Sequence, residues 1–173
     1  MPPNCNSSNN SKDKFPTIYM SYSSPLGPMI LATTLNKLIG VWFKGQRYAP
    51  TLSNWLMKDE DPLLQETARQ LTTYFSKKLF IFNLPLSYNQ GTFFQVSVWQ
   101  SLAEIPYGET RTYSAISENL GNPNAARAVG TAIGHNPFSI IVPCHRVLGR
   151  NGTLNGYAGG LERKSYLLDL ENS

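Results

Sequence analysis

Two cysteines occur in the 173-residue chain, and one of them has neighbours that could put it to use. Cys144 follows the apolar run Ser139-Ile140-Ile141-Val142-Pro143 and precedes His145 and Arg146. The run predicts a buried β-strand ending at the proline. A thiol at the end of a rigid strand, beside a proton acceptor and a fixed cation, is a candidate nucleophile, because such surroundings lower a cysteine's pKa. The same residues also fit a cysteine that only extends an apolar core. Lowering a thiol pKa from about 8.5 to about 7 raises the thiolate at pH 7 about 16-fold. Lost intrinsic nucleophilicity returns about 5-fold, leaving about a threefold gain. Efficient chemistry at Cys144 therefore needs a positioned electrophile and a stabilised leaving group.

The elements that would position this thiol are short helices. Phe94, Val98, Trp99 and Leu102 form a helical stripe that stops at Pro106-Tyr107-Gly108. Thr112 can cap a helix over Tyr113 to Leu120, with Gly121 as its stop. After Asn122-Pro123, Asn124 can cap a second helix from Ala125 to about His135, with Ala126, Val129 and Ile133 on its apolar face. Helix, short turn, helix is the outline of a DNA-binding helix-turn-helix, and equally of many helix pairs that never meet DNA. Arg127 favours the first reading. It sits near the start of the second helix among Ala125, Ala126 and Ala128, and small neighbours allow close approach to a groove. Downstream, Asn155-Gly156-Tyr157-Ala158-Gly159-Gly160 lets backbone approach a ligand, or is a plain connector. A final helix runs from Leu161 to about Glu171, with Leu161, Tyr166, Leu167, Leu168 and Leu170 on its apolar side.

The first half reads differently. Residues 1–14 are polar and aperiodic, as in a flexible tail. TIYMSY, PMILATT and LIGVWF then predict a three-stranded meander. Asp61-Pro62 is a strong helix start, followed by Leu63, Leu64, Thr67, Leu71, Tyr74 and Phe75 at helical spacing. The Asn-, Pro- and Ser-rich stretch from Phe82 to Gly91 has the composition of a connector, giving domains at 15–88 and 89–173. No apolar stretch approaches the ~18 residues of a membrane span, and the polar start lacks the apolar segment of a secretory signal. Cys5, in the tail, and Cys144 do not read as a disulfide framework. The formal net charge is +4, but residues 91–173 hold six basic and six acidic side chains. A nucleic-acid partner must therefore be argued from local placement.

Ile141-Val142-Pro143-Cys144-His145-Arg146-Val147 is similar to the active-site signature of the O6-alkylguanine-DNA alkyltransferases, the methylated-DNA-protein-cysteine methyltransferases. The resemblance extends, in the family's order, through Phe94-Gln95, Val98-Trp99, Ile105-Pro106-Tyr107-Gly108, Thr112-Tyr113, Gly121-Asn122-Pro123, Ala126-Arg127-Ala128-Val129-Gly130, Asn136-Pro137 and Gly156-Tyr157-Ala158-Gly159-Gly160-Leu161. It is weaker in the first half, chiefly Ser24-Pro25-Leu26-Gly27.

The resemblance implies an N-terminal ribonuclease-H-like α/β domain, a small sheet with a helix, and a mainly α, winged-helix-like C-terminal domain carrying the helix-turn-helix. It implies a single-turnover, suicidal enzyme of DNA repair acting on duplex DNA that contains O6-alkylguanine or O4-alkylthymine. The damaged base must flip out, because an alkyl group on O6 lies in the stack where an in-line thiolate cannot reach it. Carried over by this likeness, Cys144 accepts the alkyl group, His145 takes the thiol proton through a water, and Glu171 orients His145. Tyr113 hydrogen-bonds guanine N3 and Asn136 braces the active-site turn. Arg127 fills the vacated base position, with Thr112, Ala125 and Ala126 at the DNA surface. Tyr157, Gly159, Gly160 and Val147 line the base pocket. Some members of the family hold a structural zinc in the N-terminal domain. Here the only histidines are His135 and His145, so no metal and no cofactor are expected. A monomer is expected, cytoplasmic or, in a eukaryote, nuclear. Two other readings remain open: a noncatalytic lesion-binding module, which the presence of Cys144 disfavours, and a cysteine hydrolase, which leaves the helix pair unexplained.

Overall fold

The computed structural model describes residues 15–173, so the expected tail lies outside the described residues. The β-prone runs form the anticipated meander of β1 (Ile18–Ser24), β2 (Gly27–Thr34) and β3 (Lys37–Phe43), each antiparallel to the next. Leu35 and Asn36, at φ 51° and 54°, turn β2 into β3 with the left-handed geometry that suits the strand twist. A fourth strand, β4 (Leu56–Met57), runs parallel to β1 and was not anticipated; its two exposed residues offer no alternation to read. The sheet order is β3-β2-β1-β4.

Helix α1 (Pro62–Phe75) begins as expected, with Asp61 Oδ1 accepting from the backbone N–H groups of Leu63 and Leu64, each at 3.1 Å. It lays Leu64, Thr67, Leu71 and Tyr74 against the sheet. α2 (Phe93–Ala103) opens on a capping box, Thr92 with Gln95, a local signal that the sequence reading passed over. Trp99 Nε1 donates to Ala132 O at 2.9 Å and ties α2 to α4 (Ala126–Gly134). Thr112 caps α3 (Tyr113–Asn119), its Oγ1 accepting from Ala115 N–H at 3.1 Å. The expected Asn124 cap is not made. Pro123 instead starts a 3-10 turn, Pro123–Ala125, which takes Asn124 inside it, and α4 starts at Ala126 without a side-chain cap. β5 (Arg111–Thr112) and β6 (Val147–Leu148) pair in parallel beside these helices. The last helix is α5 (Leu161–Glu171). Its expected apolar side is corrected: Leu161 and Tyr166 are exposed, while Lys164 and Glu171 are buried with Leu167 and Leu170.

The architecture is thus a small-sheet α/β half followed by a mainly helical half, around one continuous core. Leu31, Val41 and Phe43 of the sheet, Val98 and Leu102 of α2, and Leu167 of α5 belong to the same cluster. The outer edge of β3 reaches the thiol's own segment. Val41 N–H donates to Pro137 O at 2.7 Å, and Val41 O accepts from Ser139 N–H at 2.9 Å. Among the described residues no helix is long and apolar enough to cross a membrane.

Candidate active site

Residues 139–143 do not form the strand that Ile-Ile-Val predicts. Phe138 alone bridges to Val41, and the chain then turns, with Val142 N–H donating to Phe138 O at 2.9 Å and Ile140 at φ 73°. A β-branched residue in this region costs roughly 1–3 kcal/mol and persists only where surrounding bonds fix it. Asn136 supplies those bonds. Its Nδ2 donates to Val142 O at 2.9 Å, and its Oδ1 accepts from Phe138 N–H at 3.0 Å. The apolar run signalled burial correctly and conformation wrongly, because side-chain hydrogen bonds outweighed β propensity.

The braced turn delivers Cys144–Arg146 as one turn of 3-10 helix. With three residues per turn, consecutive side chains point in different directions. Cys144 faces a cavity of about 530 Å³ together with Tyr113, Gly156, Tyr157 and Ala158. His145 and Arg146 face Glu171. Glu171 Oε1 accepts from His145 Nε2 at 2.7 Å, from Tyr74 Oη at 2.6 Å and from Arg146 Nη2 at 3.0 Å. Its Oε2 accepts from Arg146 Nε at 2.8 Å. Arg146 also donates to Ile105 O at 2.6 Å and lies over the Tyr107 ring. Arg146 is therefore spent on Glu171, and the expected cation beside the thiol is Lys164 instead.

This arrangement fixes protonation states. Burial pushes the Glu171 carboxyl up, but hydrogen bonds from His145, Arg146 and Tyr74 hold it well below the usual carboxylate range. Burial lowers His145, opposed by Glu171, so the imidazole is neutral near pH 7. With Nε2–H donated to Glu171, His145 Nδ1 is left as a lone-pair acceptor, buried and without a partner among the described residues. The expected lowering of the thiol is also corrected. Burial pushes Cys144 above its ordinary value, and the Asn136 side chain and the Lys164 charge recover only part of the shift. A buried thiol with its proton on is the resting state.

Lys164 gave no sequence signal, yet its ammonium is fully buried and donates to Val147 O at 2.6 Å and Asn155 O at 2.8 Å. Burial brings it down to about 8, opposed by Cys144. Tyr113 Oη donates to Asn155 O at 3.0 Å, and Tyr157 Oη is buried with no partner among the described residues. Three of the expected pocket residues stand elsewhere. Gly159, Gly160 and Val147 do not line the cavity. Gly160, at φ 94°, leads into α5. Gly159 makes room, since a Cβ there would sit 2.7 Å from Tyr157 Cε1. Val147 contributes its carbonyl to Lys164.

Arg127 of α4 lines the cavity from the exposed side, whereas Thr112, Ala125 and Ala126 do not. Thr112 is occupied capping α3, and Ala125 and Ala126 are half-buried where α4 begins. The cavity is also lined by Arg47 and Tyr48, which lie between β3 and β4 and which the sequence reading missed; Tyr48 packs at the C-terminal end of α4. Among the described residues no group of three His, Cys, Asp or Glu side chains could hold a metal ion.

Residues 17–88 match the ribonuclease-like domain model of 6-O-methylguanine DNA methyltransferase, and residues 93–173 match its DNA-binding domain model. The chain belongs to the 6-O-methylguanine DNA methyltransferase family. It is 49% identical over 156 residues to the methylated-DNA–protein-cysteine methyltransferase of Methanosarcina acetivorans, covering 90% of this chain and 98% of that one. Identity is 46% over 156 residues to the Mycobacterium tuberculosis protein of the same name, covering 90% of this chain and 92% of that one. The fold superposes on the crystal structure of M. tuberculosis O6-methylguanine methyltransferase with a TM-score of 0.83 at 44% identity, covering 90% and 93% of the two chains. For the M. tuberculosis OGT structure in complex with DNA, the TM-score is 0.82 at 44% identity, covering 90% and 92%.

Proposed function

We propose that the protein repairs alkylated DNA by transferring one alkyl group from guanine O6, or thymine O4, to Cys144 Sγ, without turnover. The observation that carries this reading is Cys144 on the wall of a cavity with room for a nucleobase, with His145 next to it in sequence, held by Glu171 and with Nδ1 unpartnered among the described residues. The duplex is gripped by residues 89–173, with α3 and α4 as the helix-turn-helix. α4 enters the minor groove, Ala125 and Ala126 allow close approach, and Thr112 lies towards a phosphate. Arg127 fills the place of the flipped base, offsetting part of an extrusion cost of a few kcal/mol. The protein works as a monomer, in the cytoplasm or, in a eukaryote, the nucleus.

The step follows from the protonation states. The Cys144 proton passes through a water to His145 Nδ1, and the imidazolium is stabilised by the ionised Glu171. Sγ then attacks the alkyl carbon in line. The S–C bond forms as the C–O6 bond breaks, the electron pair goes to the purine, and the proton that His145 took from the thiol passes by way of water to the base, restoring guanine and the neutral imidazole. Tyr113 exchanges its bond to Asn155 O for guanine N3 as charge builds there, and Tyr157 brings its unpartnered hydroxyl to the base. A thioether does not hydrolyse, so each molecule reacts once.

The test is a count of equivalents. With excess duplex carrying one labelled O6-methylguanine, label should move to protein in a burst of one equivalent and stop, and Cys144→Ala should take up none. Continued release of small products would replace this reading with the cysteine hydrolase, and binding without transfer would replace it with the noncatalytic module.

A further inference from the structure

The half of the chain that carries the thiol and α3–α4 is electrically neutral, six cations against six anions, while residues 1–90 hold nine against five. The whole excess of positive charge therefore lies outside the half that the helix pair belongs to. One of those N-terminal cations stands at the cavity itself. Arg47 is exposed, and it lines the same cavity as Cys144 and Arg127.

Its segment is fixed rather than draped there. Gln46 is buried, and its Oε1 accepts from Phe43 N–H at 2.8 Å and from Ser139 Oγ at 3.0 Å, which ties the segment to the active-site turn. Arg47 N–H donates to Ala158 O at 3.1 Å, on the loop that carries Tyr157. Tyr48, at φ 63°, stacks on His135 just beyond α4, ring centroids 4.0 Å apart. The three residues thus bridge the active-site turn, the base-pocket loop and the end of the recognition helix. Among the described residues the Arg47 guanidinium has no carboxylate partner, and it rests over the Tyr48 ring at 4.7 Å. Stacking of this kind leaves its in-plane donors free.

From this placement we infer that Arg47 binds a phosphodiester flanking the flipped nucleotide, so that the N-terminal domain takes part in lesion capture. The inference rests on the alkyl-transfer reading above. Extruding a nucleotide swings its sugar and both flanking phosphates to the mouth of the pocket, while the base goes to the floor. Arg127 is occupied in the duplex, and Arg47 is the other cation among the described residues that line the cavity. A guanidinium held by its backbone loses little freedom on meeting a phosphate and can donate two parallel hydrogen bonds.

The test is a cycle between Arg47→Ala and a neutral methylphosphonate placed at either linkage flanking O6-methylguanine in a duplex, with binding read in a Cys144→Ala background. Arg47→Ala keeps the backbone bond to Ala158. It should weaken binding about tenfold and reduce the slope of log K against log salt by about one. One of the two methylphosphonates should weaken the Arg47 protein comparably and the Arg47→Ala protein hardly further. Losses that simply multiply, or an unchanged salt slope, would overturn the contact. Failure of the wild-type protein to demethylate the O6-methylguanine duplex with native phosphates would instead overturn the alkyl-transfer reading beneath it.

Discussion

Tyr74 of α1 donates its hydroxyl proton to Glu171 Oε1 at 2.6 Å, across 97 residues of sequence. The N-terminal half thereby touches the carboxylate that holds His145. Removing only the hydroxyl, in Tyr74→Phe, leaves Glu171 bound to His145 and Arg146. The expected cost is about 1–2 kcal/mol, seen as a fall of roughly 3–6 °C in the thermal midpoint, with slower alkyl transfer. An unchanged midpoint would mean that the bond contributes nothing.

Arg146 and Glu171 form a buried pair, and breaking it from the two sides should not be equivalent. Arg146→Met leaves an uncompensated carboxylate and should destabilise by about 3–5 kcal/mol. Glu171→Gln leaves the Arg146 guanidinium without its counter-ion, but keeps an amide oxygen that can accept from it and leaves its bond to Ile105 O, and should cost less. The pair also sets acid sensitivity. Because the folded Glu171 carboxyl lies below its ordinary 4.5, its contribution is present above that pH and is lost as pH falls through the folded value. Denaturation midpoints measured below pH 4.5 should fall more steeply for the wild-type protein than for Glu171→Gln.

Legibility followed range along the chain. Asp61 and Thr112 announced their helices because a cap acts within three residues. Thr92 carried an equally local signal that a connector-like composition obscured. Cys144 and His145 stand in the family signature, and Glu171 came only through the likeness; the His145–Glu171 hydrogen bond was thus expected, but the electrostatics around it were not legible. The cation beside the thiol is Lys164, twenty positions on, and Arg146, next door, faces the other way. Tyr74, Arg47 and Tyr48 reach the site only through the packing of one half on the other, and no spacing in the sequence encodes that. Ser139–Pro143 failed for a physical reason: Asn136 reaches forward to bond Phe138 and Val142 and closes a turn that β-branched residues would not choose.

The rate of alkyl transfer should depend on pH through His145, with Cys144 protonated at rest. Burial lowers the His145 pKa from 6.5, so the base is competent at neutral pH and is lost only below that value. Single-turnover rates should be level near pH 7, where Lys164 still carries its charge, and fall in acid, half-maximal below 6.5. A tenfold rise per pH unit continuing through 9 would indicate reaction through free thiolate, bypassing His145.

Gly159 makes room for Tyr157. A Cβ there would meet Tyr157 Cε1 at 2.7 Å and Phe43 Cδ2 at 3.0 Å, both parts of packed rings. Gly159→Ala should displace Tyr157 and slow transfer about tenfold with DNA affinity nearly retained, as read by single-turnover kinetics and binding isotherms. Equal rates would place Tyr157 outside the reacting geometry.

The most direct measurement is intact and peptide mass spectrometry after incubation with duplex carrying one O6-methylguanine. The account predicts a gain of one methylene mass per protein, confined to the peptide containing Cys144, with guanine restored in equal amount. Unchanged protein mass while O6-methylguanine disappears, or a methyl group on any other residue, would contradict it.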